Sequence, residues 1–533
     1  MKISFRLFFI LLFSANQISA QEYLFPLNRD VNTRIGALLN KDTSGLHSSI
    51  QPLIVPELNS IANTDSVLSA DLKDCAFYKT WVGRKLRKEH FLAVDADDIM
   101  LSVDPVFNVS IGRDLKNERN VYTNTRGALV MGNMKDKFYF YTGFHENQAR
   151  YLSYIDSLVR KDTVVPGQGK VKFLGNETFD FSQATGGVGY RAGKHFDFLL
   201  ANDKNFIGDG YRSLLLSDNT YSYPFLRIHM SFWKFRYSVY YMVLQNMRGG
   251  YDDNIGYTKK YSTMHYLDAN IGKKNSLTVG IFEAVMWKPA ASRGYELHYL
   301  NPVIFLRPVE NAVGSPDNAL LGANIRWKLN SGNTIYGQLM LDEFLLAEVR
   351  AGKGWWGNKQ AFQLGYKSWN LFGVKQFNLQ TEFNFVRPFT YAHRSNAQDY
   401  TNSNQPLAHP LGSNFIESVS FINYRWKNIF AELKVQYAKM GRDTGNVNLG
   451  NDIFKSYDTR SLTREYGNRM FQGLSGTLNS IEFRLNYLVN PKTNFNIELG
   501  AGTRSLKNDK SNDQSMFVFF GLRTALENYY FDF

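Results

Sequence analysis

The residues with the most suggestive chemistry lie in one stretch, 387–412, which mixes planar rings with cations. Its candidate ligand-binding residues are Arg387, Tyr391, His393, Arg394, Tyr400 and His409. Aromatic faces pack on the apolar faces of sugars, and guanidinium groups grip hydroxyl pairs or uronate carboxylates. A second stretch, 346–358, adds Arg350, Trp355 and Trp356. Both stretches predict polysaccharide binding, although paired tryptophans are also typical of a membrane-interface girdle or of ordinary packing.

Catalysis is not favoured by the spacing of acids and bases. Four residues could meet at one rim and act as acid and base: His393, Asp399, His409 and Asp443. No motif of fixed spacing connects them, as a nucleophile and its base would require. His265 and His298 are isolated, so no cluster has metal-ligand spacing. We therefore predict a non-enzymatic protein with no cofactor and no metal.

The net charge limits the choice of partners. Lys and Arg number 61 against 48 Asp and Glu, a formal charge of +13. Such a balance suits anionic surface glycans or lipopolysaccharide phosphates. The stretch 440–475 carries Arg442 and Lys455 among Asp443 and Asp452, and each of these residues alone is typical of a solvated mixed-charge loop. Nucleic-acid binding is not predicted, because the basic residues are spread over the chain rather than gathered on one recognition element.

The elements that must position these loops are β-strands. Apolar residues at 481, 483, 485 and 487 alternate with polar residues between them, and the alternation resumes after a turn at 490–492. This pattern predicts a hairpin with one apolar and one polar face. Similar segments recur from about residue 98 to the end, which closes on the alternating aromatics Tyr529, Phe531 and Phe533. A soluble sandwich would bury the apolar faces between sheets, whereas a transmembrane barrel would turn them to lipid.

An export signal favours the barrel. Lys2 and Arg6 flank the start of the apolar run 7–13, and Ala20 precedes the predicted cleavage before Gln21, so residues 1–20 are predicted to be removed. No later window offers the roughly 20 apolar residues of a membrane-spanning helix. In hydrocarbon every backbone amide must be paired, which strands achieve by closing into a barrel. The lone Cys75 is predicted to be inert packing.

The turns give the number of strands. Tight turns are predicted near 135–136, 193–194, 234–235, 273–275, 330–333, 370–373, 427–428 and 490–492, and long connections at 147–179, 204–223, 249–263, 288–318, 346–358, 387–412 and 440–475. The prediction is an all-β transmembrane antiparallel barrel of about 18 strands, an even number typical of bacterial barrels. Residues 86–533 form it, and residues 21–85 form a short periplasmic segment of helices and loops that acts as a plug, a partner-docking piece or a lid. Helical spacing also predicts short helices at 151–159 and 297–306.

Several motifs in one order resemble a known family. The residues that carry the resemblance are Asn205, Gly208, Asp209, Gly210, Arg307, Pro308, Glu310, Asp317 and Asn318, with the stretches 299–303, 338–344 and 408–414. Gly208-Asp209-Gly210 lacks the Lys-Ser/Thr of a phosphate-binding loop. Together these stretches resemble the Wzi-type capsule-assembly outer-membrane proteins of Gram-negative bacteria, most closely the RemB-type gliding-motility branch. The gliding-branch motifs are clearer than the sugar-contacting residues of the capsule branch.

The resemblance implies an eighteen-stranded barrel in the outer membrane, a periplasmic helical segment, loops that close the pore and binding of capsular polysaccharide. The expected partners are outer-membrane lipid or lipopolysaccharide, surface polysaccharide and other outer-membrane motility or capsule proteins. Two alternatives stay open. One is a diffusion channel of the porin type, and the other is a scaffold of a motility or secretion machine that binds no glycan.

Overall fold

The computed structural model describes residues 23–68, 76–96, 98–135, 137–253, 256–288, 296–304, 317–460, 464–524 and 527–533. The predicted signal peptide 1–20, Cys75 and the motif residues Arg307, Pro308 and Glu310 lie outside the described residues.

Within this part of the chain, eighteen long strands form one closed antiparallel barrel, as the sequence predicts. The wall strands are β1 Ile99–Asp114, β2 Arg119–Met134, β3 Phe138–Arg150, β4 Thr178–Ala192, β5 Phe196–Asp203, β6 Tyr223–Phe232, β7 Phe235–Asp252, β8 Gly256–Ile271, β9 Leu277–Trp287, β10 Asn318–Asn330, β11 Asn333–Leu341, β12 Gln360–Ser368, β13 Phe377–Val386, β14 Phe415–Trp426, β15 Ile429–Arg442, β16 Leu474–Asn490, β17 Phe495–Asn508 and β18 Asn512–Thr524. Pairing of β18 with β1, in which Phe517 lies opposite Asp114, closes the barrel.

The alternation assigns the two faces of the wall. In β16, Ile481 and Phe483 are about half exposed on the outside, whereas Glu482 between them is buried on the inside. In β13, Phe383 points outward and Glu382 and Asn384 are buried. Because side chains of a strand alternate between faces, these strands turn apolar residues to the exterior and polar residues to the lumen.

The two ends of the barrel differ in the length of their connections. At one end, the short-turn end, neighbouring strands are joined by tight turns such as 233–234, 331–332 and 427–428. At the other, the long-loop end, the connections include 151–177, 204–222, 387–414 and 443–473.

The prediction of a long connection at 249–263 is wrong. The strands β7 and β8 continue through most of it and leave only 253–255 between them, with a register shift between Asn246 and Tyr251. The glycines at 249 and 250 lie at that shift, and Gly250 has a φ of +88°. A polar, glycine-rich sequence is typical of a loop. Strands that extend beyond the apolar belt, however, do not need an apolar outer face, so they can have the same composition.

Short helices accompany the wall: α1 Arg29–Lys41, α2 Val55–Asn59, α3 Thr64–Leu68, α4 Trp81–Arg87, α5 Ser153–Asp162 and α6 Leu346–Ala351. Helix α5 confirms the prediction at 151–159, while the predicted helix at 297–306 is a single 3-10 turn, Leu297–Leu300, as far as residue 304. Helix α1 begins where the Asn28 side chain accepts a hydrogen bond from the Val31 amide, 3.1 Å away. None of the described helices has the length and apolarity needed to cross a bilayer.

Helix α1 lies across the short-turn end of the lumen. Its buried Val31 and Ile35 pack with Leu58 in a small apolar core of this segment. The Asn40 amide donates to the Asn330 carbonyl at 2.9 Å and the Arg34 guanidinium donates to the Asn494 side chain at 3.2 Å. Both partners belong to the strand ends or turns of that rim, so the segment 23–68 occupies the lumen from this side.

Candidate functional site

The connection 204–222, here called the inward loop, enters the lumen instead of covering the surface. Leu214, Leu215 and Leu216 are fully buried. Phe206–Ile207 pairs as a short strand with Ile50–Gln51 of the N-terminal segment. The three leucines pack with buried apolar residues on the inner face of the wall, among them Met264, Phe282 and Leu320, so the inward loop is part of a packed core inside the barrel.

Arg212 of the inward loop is the centre of a buried ion network. Its guanidinium lies 2.9 Å from the Glu417 carboxylate and 3.1 Å from that of Asp532. The backbone amides of Tyr211 and Arg212 donate to Glu382, at 2.8 and 3.2 Å. Burial alone would lower the pKa of Arg212, but the Asp532 and Glu417 carboxylates raise it well above its ordinary value, so the guanidinium stays charged.

Gly210 makes the close approach to Glu382 possible. A Cβ at this position would stand 2.4 Å from the Glu382 carboxylate oxygen and 2.6 Å from the Arg212 carbonyl oxygen. Gly208, two residues earlier, has a φ of +150°, a conformation that L side chains rarely adopt. These two glycines of the family-like motif therefore shape the turn that inserts Arg212 into its network.

The residues after the last wall strand, 527–533, here called the tail, also run inside the lumen. Glu527 pairs with Lys204 at 2.8 Å, and the Tyr530 hydroxyl donates to Asp218 at 2.7 Å. The Phe533 carbonyl accepts from the Arg504 guanidinium at 2.6 Å, near the long-loop end. The alternating aromatics of the tail thus contribute to the lumen filling and not to the wall.

The connection 387–414 is the third filling element from this end. Lys260 of the wall contacts Asp399 at 2.6 Å, and the His409 ring contacts Glu417 at 2.7 Å. Burial lowers the pKa of His409 below its usual range, although Glu417 opposes the shift, so the ring is held neutral against the carboxylate. The inward loop, the tail, this connection and the segment 23–68 together occupy much of the lumen, and cavities of about 340 and 240 Å³ remain between them and the wall.

The structure separates the sequence-predicted site residues into two groups. Tyr391 and Tyr400 are fully buried, and their hydroxyls donate to the Leu214 and Leu215 carbonyls at 2.8 and 2.6 Å. His409 is buried in the network described above. Arg387 is half-buried at the rim, and Arg350 and Arg394 are exposed. Only the residues of the rim can meet a large ligand without rearrangement.

The two tryptophans take part in an aromatic cluster at the long-loop end. The rings of Trp356 and Tyr457 lie 4.7 Å apart, and the Arg460 guanidinium covers Trp356 at 3.9 Å. The Trp356 indole donates to Glu465 at 2.9 Å, whereas Trp355 is half-buried beside it. His393 packs edge-on to Tyr457 at 5.6 Å, and burial together with nearby cations lowers its pKa to about 3.

The motif residues mark internal positions. Asn205, Gly208, Asp209 and Gly210 all lie in the inward loop, where Asp209 accepts a hydrogen bond from Ser49 at 2.6 Å. Asp317 accepts from the Tyr299 hydroxyl and from Gln398, both at 2.7 Å, and Asn318 donates to the Gln398 carbonyl at 3.0 Å. These residues fix loops to the barrel through buried hydrogen bonds.

A cleft of about 680 Å³ opens at the long-loop end between three connections. Here called the outer cleft, it is lined by parts of 153–166, 404–412 and 443–455, together with the upper ends of β7, β15, β17 and β18. Its charged lining residues are Lys161, Asp162, Arg248, Arg442, Asp443, Asp452, Lys455, Arg504 and Asp513.

Charged side chains of both signs and the aromatic residues Tyr154, Phe454 and Phe533 line the outer cleft. The Arg248 guanidinium pairs with Asp162 at 2.7 Å and lies 4.5 Å from the centre of the Phe454 ring. Lys455 is 3.7 Å from Asp443. The sequence reading of 440–475 as a solvated mixed-charge loop missed this site, because its walls come from distant segments and no spacing in the sequence brings them together.

Metal binding has no support in the geometry of the described ranges. No group of at least three His, Cys, Asp or Glu side chains there is arranged to hold an ion.

No family model matches the chain, and no curated protein matches its sequence. Among solved structures, the chain is similar to Wzi of Escherichia coli, an outer-membrane protein involved in group 1 capsule assembly and a carbohydrate-binding β-barrel, with a TM-score of 0.54 and 11% identity over 95% of this chain and 100% of that one. OprD of Pseudomonas aeruginosa matches at a TM-score of 0.43 and 10% identity, over 81% and 98% of the two chains. OccK1 of the same organism matches at 0.45 and 8%, over 79% and 98%. The similarity to Wzi shows a shared barrel fold.

Proposed function

We propose that the protein is a non-enzymatic outer-membrane barrel that binds and retains surface polysaccharide at its long-loop end. The observation that carries this proposal is the contrast between a lumen largely occupied by the chain itself and a cleft with charged walls that stays open at one end. A barrel whose lumen is largely occupied by its own chain offers a surface for a large ligand rather than a wide channel.

The outer cleft has the chemistry that an acidic glycan requires. Arg248 of β7 and Lys455 of the connection 443–473 present cations to the cleft, and the Phe454 ring lies 4.5 Å from the Arg248 guanidinium. Guanidinium and ammonium groups pair with uronate carboxylates, and an aromatic face packs on the apolar face of a sugar ring. Carbohydrate binding by Wzi, which shares the fold, agrees with this assignment.

The cellular setting belongs to the same proposal. The resemblance to the Wzi type favours capsule assembly, and the motifs of the RemB-type branch favour gliding motility. In both settings the barrel would hold an anionic surface polymer while contacting other outer-membrane proteins of the assembly. A scaffold without a glycan ligand would instead co-purify with a protein partner and would not bind glycan as an isolated barrel.

The test compares two pairs of cations at the long-loop end. The purified barrel in detergent micelles is titrated with alginate as an acidic polysaccharide and with dextran as a neutral one. We expect alginate to bind, and Arg248→Ala with Lys455→Ala to weaken binding by about tenfold or more, since a charged hydrogen bond contributes about 1.5–3 kcal/mol. The matched control, Arg350→Ala with Arg394→Ala, removes two exposed cations outside the cleft.

Three outcomes can be told apart. Loss of alginate binding in the cleft variant alone supports the outer cleft. Loss in the control pair alone moves the site to the rim residues predicted from the sequence and contradicts the cleft. Binding of neither polysaccharide by the folded wild-type barrel contradicts an acidic-glycan ligand.

A further inference from the structure

The segment before the first wall strand leaves the lumen and exposes an apolar surface at the short-turn end. In and beside helix α4, Phe77, Trp81, Val82 and Leu86 are 44–52% exposed. Phe91 and Leu92 continue this surface at 46% and 42%. Such a concentration of large apolar side chains on a short segment is unusual for a surface that faces water, and it marks a contact with another phase or molecule.

The position of α4 relative to the wall is fixed by contacts to β16. The Asn490 side chain donates to the carbonyls of Lys85 and Glu89, both at 2.9 Å. The Arg87 guanidinium donates to the Tyr487 hydroxyl at 3.1 Å and lies 5.5 Å from the centre of its ring. Tyr487 belongs to the outward row that begins at Ile481, so the helix lies at the rim beside the apolar exterior.

A short strand joins this surface to the exterior of the barrel. Leu92–Ala96 pairs with the start of β1, with Leu92 opposite Val103 and Val94 opposite Leu101. Paired residues of neighbouring strands point to the same face, so Leu92 and Val94 share the outward face of β1. The apolar surface of the segment is therefore continuous with the belt that meets lipid.

The same segment is strongly basic. Residues 76–91 contain five basic side chains, Lys79, Arg84, Lys85, Arg87 and Lys88, against the single acid Glu89. Arg84 and Lys85 share that acid, at 2.9 and 3.0 Å. Tryptophan at an interface, apolar side chains below it and cations around it are the features of helices that lie in the headgroup layer of a membrane.

Exposed aromatic residues at other turns of this end indicate where the headgroup layer lies. Trp233 and Phe372, each in a tight turn, are 85% and 88% exposed, and Trp426 at the end of β14 is 55% exposed. Rings at the ends of barrel strands form the girdle that marks the membrane interface. Helix α4 lies at the same rim as these rings.

We propose that residues 76–94 are an interfacial anchor that inserts into the phospholipid leaflet at the short-turn end and binds anionic headgroup phosphates through Lys79 and its basic neighbours. The occupant is lipid and not a protein partner, because the apolar surface is continuous with the lipid-facing wall. This inference rests on the membrane location in the proposed function, and it is independent of glycan binding.

The test measures the depth of single nitroxide labels on the full barrel in lipid vesicles. In a Cys75→Ser background, cysteines replace Val82 or Leu86 in α4, Leu485 in the outward row of β16, or Ser331 in an exposed turn of the same end. The vesicles contain phosphatidylcholine alone or with phosphatidylglycerol. Collisions with oxygen report burial in lipid, and collisions with a water-soluble nickel chelate report exposure to water.

We expect labels at 82 and 86 to favour oxygen, as the label at 485 does, and the label at 331 to favour nickel. Phosphatidylglycerol should move the labels at 82 and 86 deeper, and Lys79→Glu with Arg84→Glu should abolish that shift. Labels at 82 and 86 that behave like 331 while 485 favours oxygen would overturn the anchor. If 485 also favoured nickel, the membrane location itself would fail, and with it both proposals.

Discussion

The ion network around Arg212 and the outer cleft around Arg248 use the same kinds of side chain in different surroundings. Arg212 is 1% exposed, and carboxylates of the wall and the tail occupy its guanidinium. Arg248 is 29% exposed and pairs with Asp162 at the edge of an open cleft. Burial makes the first arginine a structural group, whereas access to solvent leaves the second available to a ligand.

This difference predicts opposite consequences for substitution. A buried charge whose partner is removed has no water to replace it, so stability falls steeply. A charge in the cleft can be solvated when its partner is removed, so stability changes little while ligand binding changes much. Any variant that reverses this order would contradict the contrast between Arg212 and Arg248.

The largest effect is expected for Arg212→Ala. It leaves the buried Glu417 without its guanidinium partner and Asp532 with only Lys434, 3.5 Å away, and we expect the free energy of unfolding in urea to fall by about 3–5 kcal/mol. Loss of the folded band on unheated electrophoresis gels would agree with this. Arg394→Ala removes one partner of an exposed ion pair at the same end and should change the free energy of unfolding by less than about 0.5 kcal/mol. Equal effects of the two variants would contradict a structural role of the network.

A smaller loss is expected for Gly210→Ala. The added methyl group meets the Glu382 carboxylate and the Arg212 carbonyl, and the required shift should cost about 1–3 kcal/mol. Gly193→Ala, in an open turn where a Cβ meets no atom within 4 Å, is the control for a general glycine effect. Gly193 has a φ of +68°, so its cost reports backbone strain alone. A Gly210→Ala barrel no less stable than the Gly193→Ala barrel would show that the inward loop is loosely packed.

A third effect, on the pH dependence of stability, is expected at the aromatic cluster of the long-loop end. Burial lowers the pKa of His393 to about 3, so the unfolded chain binds a proton there that the folded chain rejects. The contribution of His393 to stability is therefore fully present above the unfolded pKa of about 6.5. It is lost as the pH drops toward 3, by up to about 1.4 kcal/mol per pH unit. His393→Asn should flatten the dependence measured by urea unfolding between those values. An unchanged slope would mean that the ring is solvated in the folded state.

The smallest effect on stability is expected in the outer cleft. Arg248→Ala should change the free energy of unfolding by about 1 kcal/mol or less, since the pair is partly exposed. The same variant should weaken alginate binding severalfold in the titration. A large loss of stability would place Arg248 with the lumen residues and remove the contrast with Arg212.

The wall of the barrel follows directly from the sequence, whereas its filling does not. Alternation and turn residues predict the strands and their faces, because the pleat forces side chains to opposite sides. Nothing in a local period indicates that 204–222 folds inward or that Tyr391 and Tyr400 donate to leucine carbonyls of that loop. These contacts join residues more than 150 positions apart.

The sequence signal for a filled lumen was the presence of ionisable residues at lumen-facing positions. Glu382, Glu417 and Lys434 all lie at inward positions of the wall, where an ionisable group needs a partner. Their alternation with apolar residues indicated only that the lumen is polar. The partners, Arg212 and Asp532, become visible once the inward loop and the tail are placed.

The most direct test of a filled lumen is the conductance of the purified barrel in planar lipid bilayers. The inward loop, the connection 387–414, the tail and the segment 23–68 all occupy the lumen, so we predict no stable open channel at moderate voltage. A variant without residues 527–533 loses one filling element and provides the positive control, with an increased frequency of openings. A steady conductance of porin size from the intact barrel would contradict the closed lumen and favour a diffusion channel.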